Sequence, residues 1–185
     1  MVALPGGRSP LLLEEKLAKL AADPASAHTE LAVVGTVDGD RVRLAGAPFA
    51  WYADLPRAVG GGNCAPSPVL YLLGALAGCA VSLIRDVLAP QLGIALTDVT
   101  AVARCGQDLA GLAGLDGGDP GLNGISIEIG VASPAPPERV AELRLAWQER
   151  SPVYLALAAA VPVSVTWSSG PASSVAVPPL AGSVP

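Results

Sequence analysis

The residues in this chain best suited to chemistry are its three cysteines, Cys64, Cys79 and Cys105. A thiolate is a strong nucleophile, but a free thiol with a pKa near 8.5 is mostly protonated at neutral pH, so a neighbouring cation or hydrogen-bond donor must create it. Cys79 stands inside the apolar run "GALAGCAVSLI", where it is read either as a small hydrophobe packing a buried helix or as a reactive thiol. Cys64 follows a glycine cluster in "PRAVGGGNCAPSP", and Cys105 falls on one strand face with Val99, Ala101 and Ala103, which favours core packing. An odd, widely spaced set of cysteines is no disulfide framework, and reduced thiols point to the cytoplasm. With no C-x-x-C and one histidine, His28, the sequence offers no metal-ligand set, and no cofactor is implied. Arg41 and Arg43 alternate with Val42 and Leu44 and so share a strand face. Ser151 precedes Pro152 as a helix N-cap would, and no histidine is placed to activate it as a nucleophile.

The elements that must position these groups can be read from periodicity. Leu12, Leu13, Leu17 and Leu20 have helical spacing, which predicts a short amphipathic helix over 10–22. Apolar runs broken at Asp38-Gly39 predict an antiparallel hairpin, with a further strand at "FAWYAD". The glycine- and proline-rich loop then leads into a helix from Val69 to about Leu88 that is apolar on every side, as in a helix buried all round. Its uncharged stretch ends at Arg85-Asp86, about sixteen residues after Pro68, which is short of the roughly twenty a bilayer needs. Gly74 and Gly78 allow another helix to approach closely. Two strands follow, the second with Ile125, Ile127, Ile129 and Val131 on one face. "PPERVAELRLAWQER" predicts an amphipathic helix striped by Val140, Leu143 and Trp147, "VYLALAAA" a short helix, and "VPVSVTW" a closing strand.

This order describes an α+β fold in 185 residues that are 51% hydrophobic, ample for one folded unit. The domain reading is an N-terminal helical extension over 1–29, a main domain over 30–168, and a disordered Pro/Ser-rich tail over 169–185. A net charge of −5 with few charged residues argues against nucleic acid as a partner, and the short apolar run against a membrane. The amino end does not read as a secretory signal. A helix apolar all round needs more cover than a small sheet offers, so a homodimer is expected.

Taken together, "PRAVGGGNCAPSPVLYLLGALAGC", "LGIALTDVTAVARCGQDLAG", "GISIEIGVAS" and "ERSPVYLALAAAVPVSVTW" resemble, in order and spacing, the OsmC/Ohr superfamily, that is, osmotically inducible protein C and the organic hydroperoxide resistance proteins, over about residues 30–167. The resemblance implies an intertwined homodimer in which curved antiparallel sheets wrap long central helices. It also implies thiol-dependent reduction of organic hydroperoxides in oxidative-stress defence, with an external dithiol as reductant. Cys79 stands where such proteins carry the peroxidatic cysteine, and Ser151 where they carry the resolving one. The supporting glutamate falls at Val69 or Leu70 and the arginine near Val37, with Arg41 and Arg43 close by. Cys64 or an external thiol would then resolve the sulfenic acid. The alternative is a catalytically degenerate OsmC-like homodimer that binds a small lipophilic molecule.

Overall fold

The computed structural model describes residues 10–159 and 161–167, with side chains described from residue 13 onward. The described residues form two compact units: the first gathers 10–28 with 72–161, the second gathers 29–71 with 162–167.

The second unit is a three-stranded antiparallel meander of β1 (Val34–Asp38), β2 (Arg41–Gly46) and β3 (Phe49–Ala53). Its hairpin closes where the sequence predicts, pairing Asp38 with Arg41 across Gly39-Asp40. Gly39 has φ of 60°, a left-handed conformation that a side chain would strain, at the first loop position. After β3 the chain loops through residues 54–67 into α2 (Pro68–Leu83).

In the first unit α2 is followed by a π-helical turn (Ile84–Leu88) and α3 (Ala89–Gln91). The helix therefore runs past Arg85-Asp86, and Pro68–Gln91 spans 24 residues, long and apolar enough by length and composition to cross a membrane. The uncharged part of this helix still ends at Arg85-Asp86, whose side chains pair with each other at 2.8 Å, and the helix runs on beyond them. Its inner side instead packs a core: Ala80, Ile84, Leu88 and Ala89 cluster with Ile94, Val99, Leu143 and Trp147.

Nor is α2 buried all round. Gly74, Ala75, Gly78 and Ser82 lie on an exposed stripe, and a Cβ added at either glycine would meet nothing within 4 Å. One sheet covers only one side of a helix, so the opposite side of a uniformly apolar helix stays open within a single chain.

The sheet of this unit pairs β4 (Asp98–Gln107) antiparallel with β5 (Leu122–Ala132). Ile127, Ile129 and Val131 pack against the core, while Glu128 and Gly130 between them are exposed. The register slips between Arg104 and Gly106, beside Cys105, where Gly124 at φ 57° supplies the left-handed residue of a bulge. Between the strands lies α4 (Leu109–Leu112), whose first turn is capped by Asp108 accepting from the Ala110 N–H at 2.8 Å. Helix α5 (Pro137–Arg150) turns Leu143 and Trp147 inward one helical turn apart, and α6 (Pro152–Ala158) follows at once. At the amino end α1 (Pro10–Ala22) forms over the expected residues, with Lys19 and Glu15 paired across one turn.

The closing strand expected at "VPVSVTW" is absent. Residues 161–167 adopt no strand, and Val163 is 85% exposed and Trp167 90%. Apolar alternation marks a face, but a strand also needs a ladder partner, and none of the described strands pairs with this segment. The tail over 169–185 lies outside the described residues.

Candidate functional site

Cys79 lies on α2 and Ser151 sits between α5 and α6, 72 residues further along the chain. The fold of the first unit brings their side chains together, with Cys79 Sγ 3.6 Å from Ser151 Oγ. Ser151 is 0% exposed and Cys79 half-buried.

Ser151 is fixed from three sides. Its N–H donates to the Trp147 carbonyl at 2.9 Å, and its carbonyl accepts from the Leu155 N–H at 2.9 Å, so it closes one helix and opens the next. Pro152 at the first position of α6 needs no N–H acceptor. Ser151 is thus the N-cap residue by position, as the sequence suggests, but its hydroxyl makes no cap hydrogen bond. That hydroxyl turns instead to the thiol. One turn before it Trp147 packs on Tyr154, with ring centroids 4.9 Å apart.

A hydroxyl both donates and accepts, whereas a thiolate only accepts. The Ser151 hydroxyl is placed to donate to a thiolate on that sulfur. The same hydroxyl meets the oxygen of a sulfenic acid on that sulfur. It cannot form a disulfide. Among the described residues Ser151 Oγ is the hydrogen-bond partner that the Cys79 sulfur has.

Arg41, Arg43 and Cys64 belong to the second unit, and neither unit by itself joins them to Cys79. The Arg41 guanidinium lies 4.2 Å from the centroid of the Tyr52 ring, whose hydroxyl donates to Asp38 at 2.9 Å. Arg43 pairs with Tyr52 across the ladder and is exposed. These side chains form a solvated polar face, as their alternation with Val42 and Leu44 predicts. Cys64 is exposed, and its Sγ lies 3.6 Å from the Gly62 carbonyl. Cys105 is half-buried on β4.

Asp54 was not singled out from sequence. It is 7% exposed, and its carboxylate accepts from the N–H groups of Cys64 (2.9 Å), Leu55 (2.7 Å) and Gly62 (3.4 Å). The Cys64 hydrogen bond above all, then those of Leu55 and Gly62 and the charge of Arg41, hold its carboxyl below the usual carboxylate range against the opposing effect of burial. Asp54 is what shapes the glycine-rich loop ahead of α2. The signal for it is an aspartate at a strand end facing a loop rich in unpaired amides.

A family model for OsmC-like protein matches residues 60–166, more than half of the chain. The chain belongs to the OsmC-like family. Two solved structures share its fold: an OsmC-like protein from Mycoplasma pneumoniae, with TM-score 0.58 and 17% identity over 70% of this chain and 88% of that one, and an organic hydroperoxide resistance protein OsmC from Legionella pneumophila, with TM-score 0.52 and 18% identity over 70% and 89%. No curated protein matches by sequence. The α+β architecture with antiparallel sheets expected from the element order is that of these OsmC-like structures.

Proposed function

We propose that this OsmC-like protein reduces organic hydroperoxides through Cys79, with an external dithiol as its reductant. The observation that carries the reading is the half-buried contact between Cys79 Sγ and Ser151 Oγ at 3.6 Å, at the two positions that the family resemblance assigns to peroxide chemistry. The Cys79 thiolate attacks the terminal oxygen of the hydroperoxide and the O–O bond breaks. The alkoxide takes up a proton and leaves as the alcohol, while the sulfur is oxidised to sulfenic acid. One thiol of the dithiol then displaces water from that sulfur, and its second thiol breaks the mixed disulfide and restores Cys79. Ser151 holds the hydrogen bond to the sulfur throughout and leaves resolution to another thiol. Cys64 stands as the alternative resolver within the chain, beside the external dithiol. The name of the Legionella relative, a hydroperoxide resistance protein, supports the substrate class.

We place this chemistry in a cytoplasmic homodimer that has neither nucleic acid nor membrane as a partner. The exposed Gly74–Gly78 stripe and the exposed Leu31, Val163 and Trp167 support a second copy as cover, because a soluble monomer rarely leaves so much large apolar surface open. The second reading, a non-catalytic dimer that binds a lipophilic molecule, is favoured by Val69 and Leu70 where the resemblance places a glutamate.

The test follows consumption of cumene hydroperoxide with dihydrolipoamide. Cys79→Ser is expected to lose the catalysed rate, and Cys64→Ser to retain it. Equal rates for the parent and Cys79→Ser would sink the enzyme reading.

A further inference from the structure

A sulfenic acid on a protein sulfur has three ordinary exits: condensation with a thiol, closure onto a backbone nitrogen, or further oxidation to sulfinic acid. The surroundings of Cys79 bear on each. Among the described residues the hydrogen-bond partner of its sulfur is Ser151 Oγ, 3.6 Å away, and a hydroxyl forms no disulfide. The backbone nitrogen that follows Cys79 is that of Ala80, which is 0% exposed and lies inside α2, where its N–H belongs to the helix ladder. Further oxidation needs only a second hydroperoxide at the same sulfur. Cys79 is half-buried next to exposed Gly78, so the path that admits one hydroperoxide admits another.

Ser151 is placed to meet the oxygen that arrives on the sulfur. Its backbone is held by two hydrogen bonds of 2.9 Å, its hydroxyl makes no cap bond, and at 0% exposure bulk water does not compete for it. A sulfenic acid donates and accepts, as a hydroxyl does, so the two groups match. Donation from Oγ to a sulfenate oxygen draws charge away from the sulfur, which then attacks a further peroxide more slowly.

Resting on the hydroperoxide reading of Cys79, we propose that Ser151 holds the Cys79 sulfenic acid open, and that a second hydroperoxide shuts the site off when it arrives before the dithiol. In that step the sulfur attacks the terminal oxygen of the second hydroperoxide. An S–O bond forms and the O–O bond breaks, the sulfur loses two electrons, and the alkoxide takes the proton given up by the sulfenic acid and leaves as the alcohol. The sulfinic acid does not return to the thiol with a dithiol. The ratio of hydroperoxide to dithiol therefore sets how much of the protein stays active.

The reduced full-length protein receives one equivalent of cumene hydroperoxide, and dimedone traps sulfenic acid at intervals before peptide mass spectrometry. One thiol of the three should disappear, as a dimedone adduct on Cys79, while Cys64 and Cys105 still titrate. About tenfold excess should add about 32 Da to the Cys79 peptide, with a matching loss of dihydrolipoamide-dependent turnover that dithiothreitol does not restore. Ser151→Ala removes the hydroxyl and should shorten the sulfenic lifetime by about fivefold. Ser151→Cys supplies a thiol and should yield no sulfinic acid at the same excess. A Cys64–Cys79 disulfide in place of the adduct, with turnover intact, would overturn the proposal and leave the reductase reading standing. So would full turnover after the excess, or a sulfenic lifetime that Ser151→Ala leaves unchanged. Three surviving thiols would sink the reductase reading and the proposal with it.

Discussion

Replacing Ser151 by cysteine tests both the placement and the reactivity of Cys79. Parent side-chain atoms are 3.6 Å apart, and a disulfide needs its sulfurs at about 2.0 Å, a distance that modest rotation about two Cα–Cβ bonds can close. The bridge would close a loop of 72 residues. Chain-entropy reasoning then gives stabilisation of about 4 kcal/mol at 25 °C, through the states denied to the unfolded chain. Comparing oxidised with reduced Ser151→Cys cancels any packing cost of the larger sulfur, since both forms carry it. For a chain of this size about 4 kcal/mol corresponds to a rise in Tm of roughly 8–16 °C. The assay uses Ser151→Cys with Cys64→Ser and Cys105→Ser, so that only two thiols remain. One equivalent of cumene hydroperoxide is expected to remove both from titration, and dithiothreitol to restore both thiols and the lower Tm. If both thiols persist after peroxide, or if Tm is the same with and without reductant, the reasoning fails.

The charge of Asp54 has a pH signature. Its carboxyl is held below its unfolded value of about 3.9, so its contribution is present above that pH and lost as pH falls through the folded value. Asp54→Asn leaves one acceptor oxygen for three N–H groups and should lower Tm at pH 7 by on the order of 5 °C, a gap that narrows below pH 4 in parallel melts. A gap independent of pH would assign the effect to shape alone. At Gly78 an added Cβ meets nothing within 4 Å among the described residues and Leu improves helix propensity, so Gly78→Leu should keep the circular dichroism of the folded chain. Sedimentation should nevertheless show a shift from dimer to monomer, and an unchanged dimer would remove this stripe from the interface.

The order of helices and strands was legible because period and punctuation are local. Helix α1, the Asp38-Gly39 hairpin, β4, β5 and α5 all form where spacing and turn residues point. The errors have a common cause. "VPVSVTW" alternates like a strand, yet pairing requires an edge elsewhere in space, and α2 was read as wholly buried because composition reports what a surface would prefer and not whether anything covers it. The π turn at Ile84–Leu88 lies inside the stretch read as one helix to about Leu88, because apolar spacing does not report a local change in the backbone hydrogen-bond register.

The site divides along the same line. The sequence by itself determined the family, the reactive residue type on an apolar helix, and a hydroxyl where the resemblance has a second thiol. Only the tertiary structure decided that Ser151 faces the Cys79 sulfur and not its own helix amides, and that Asp54 organises the loop before α2. Hydrogen bonds are settled within a few tenths of an ångström between residues far apart in the chain, and local patterning carries no distance of that kind.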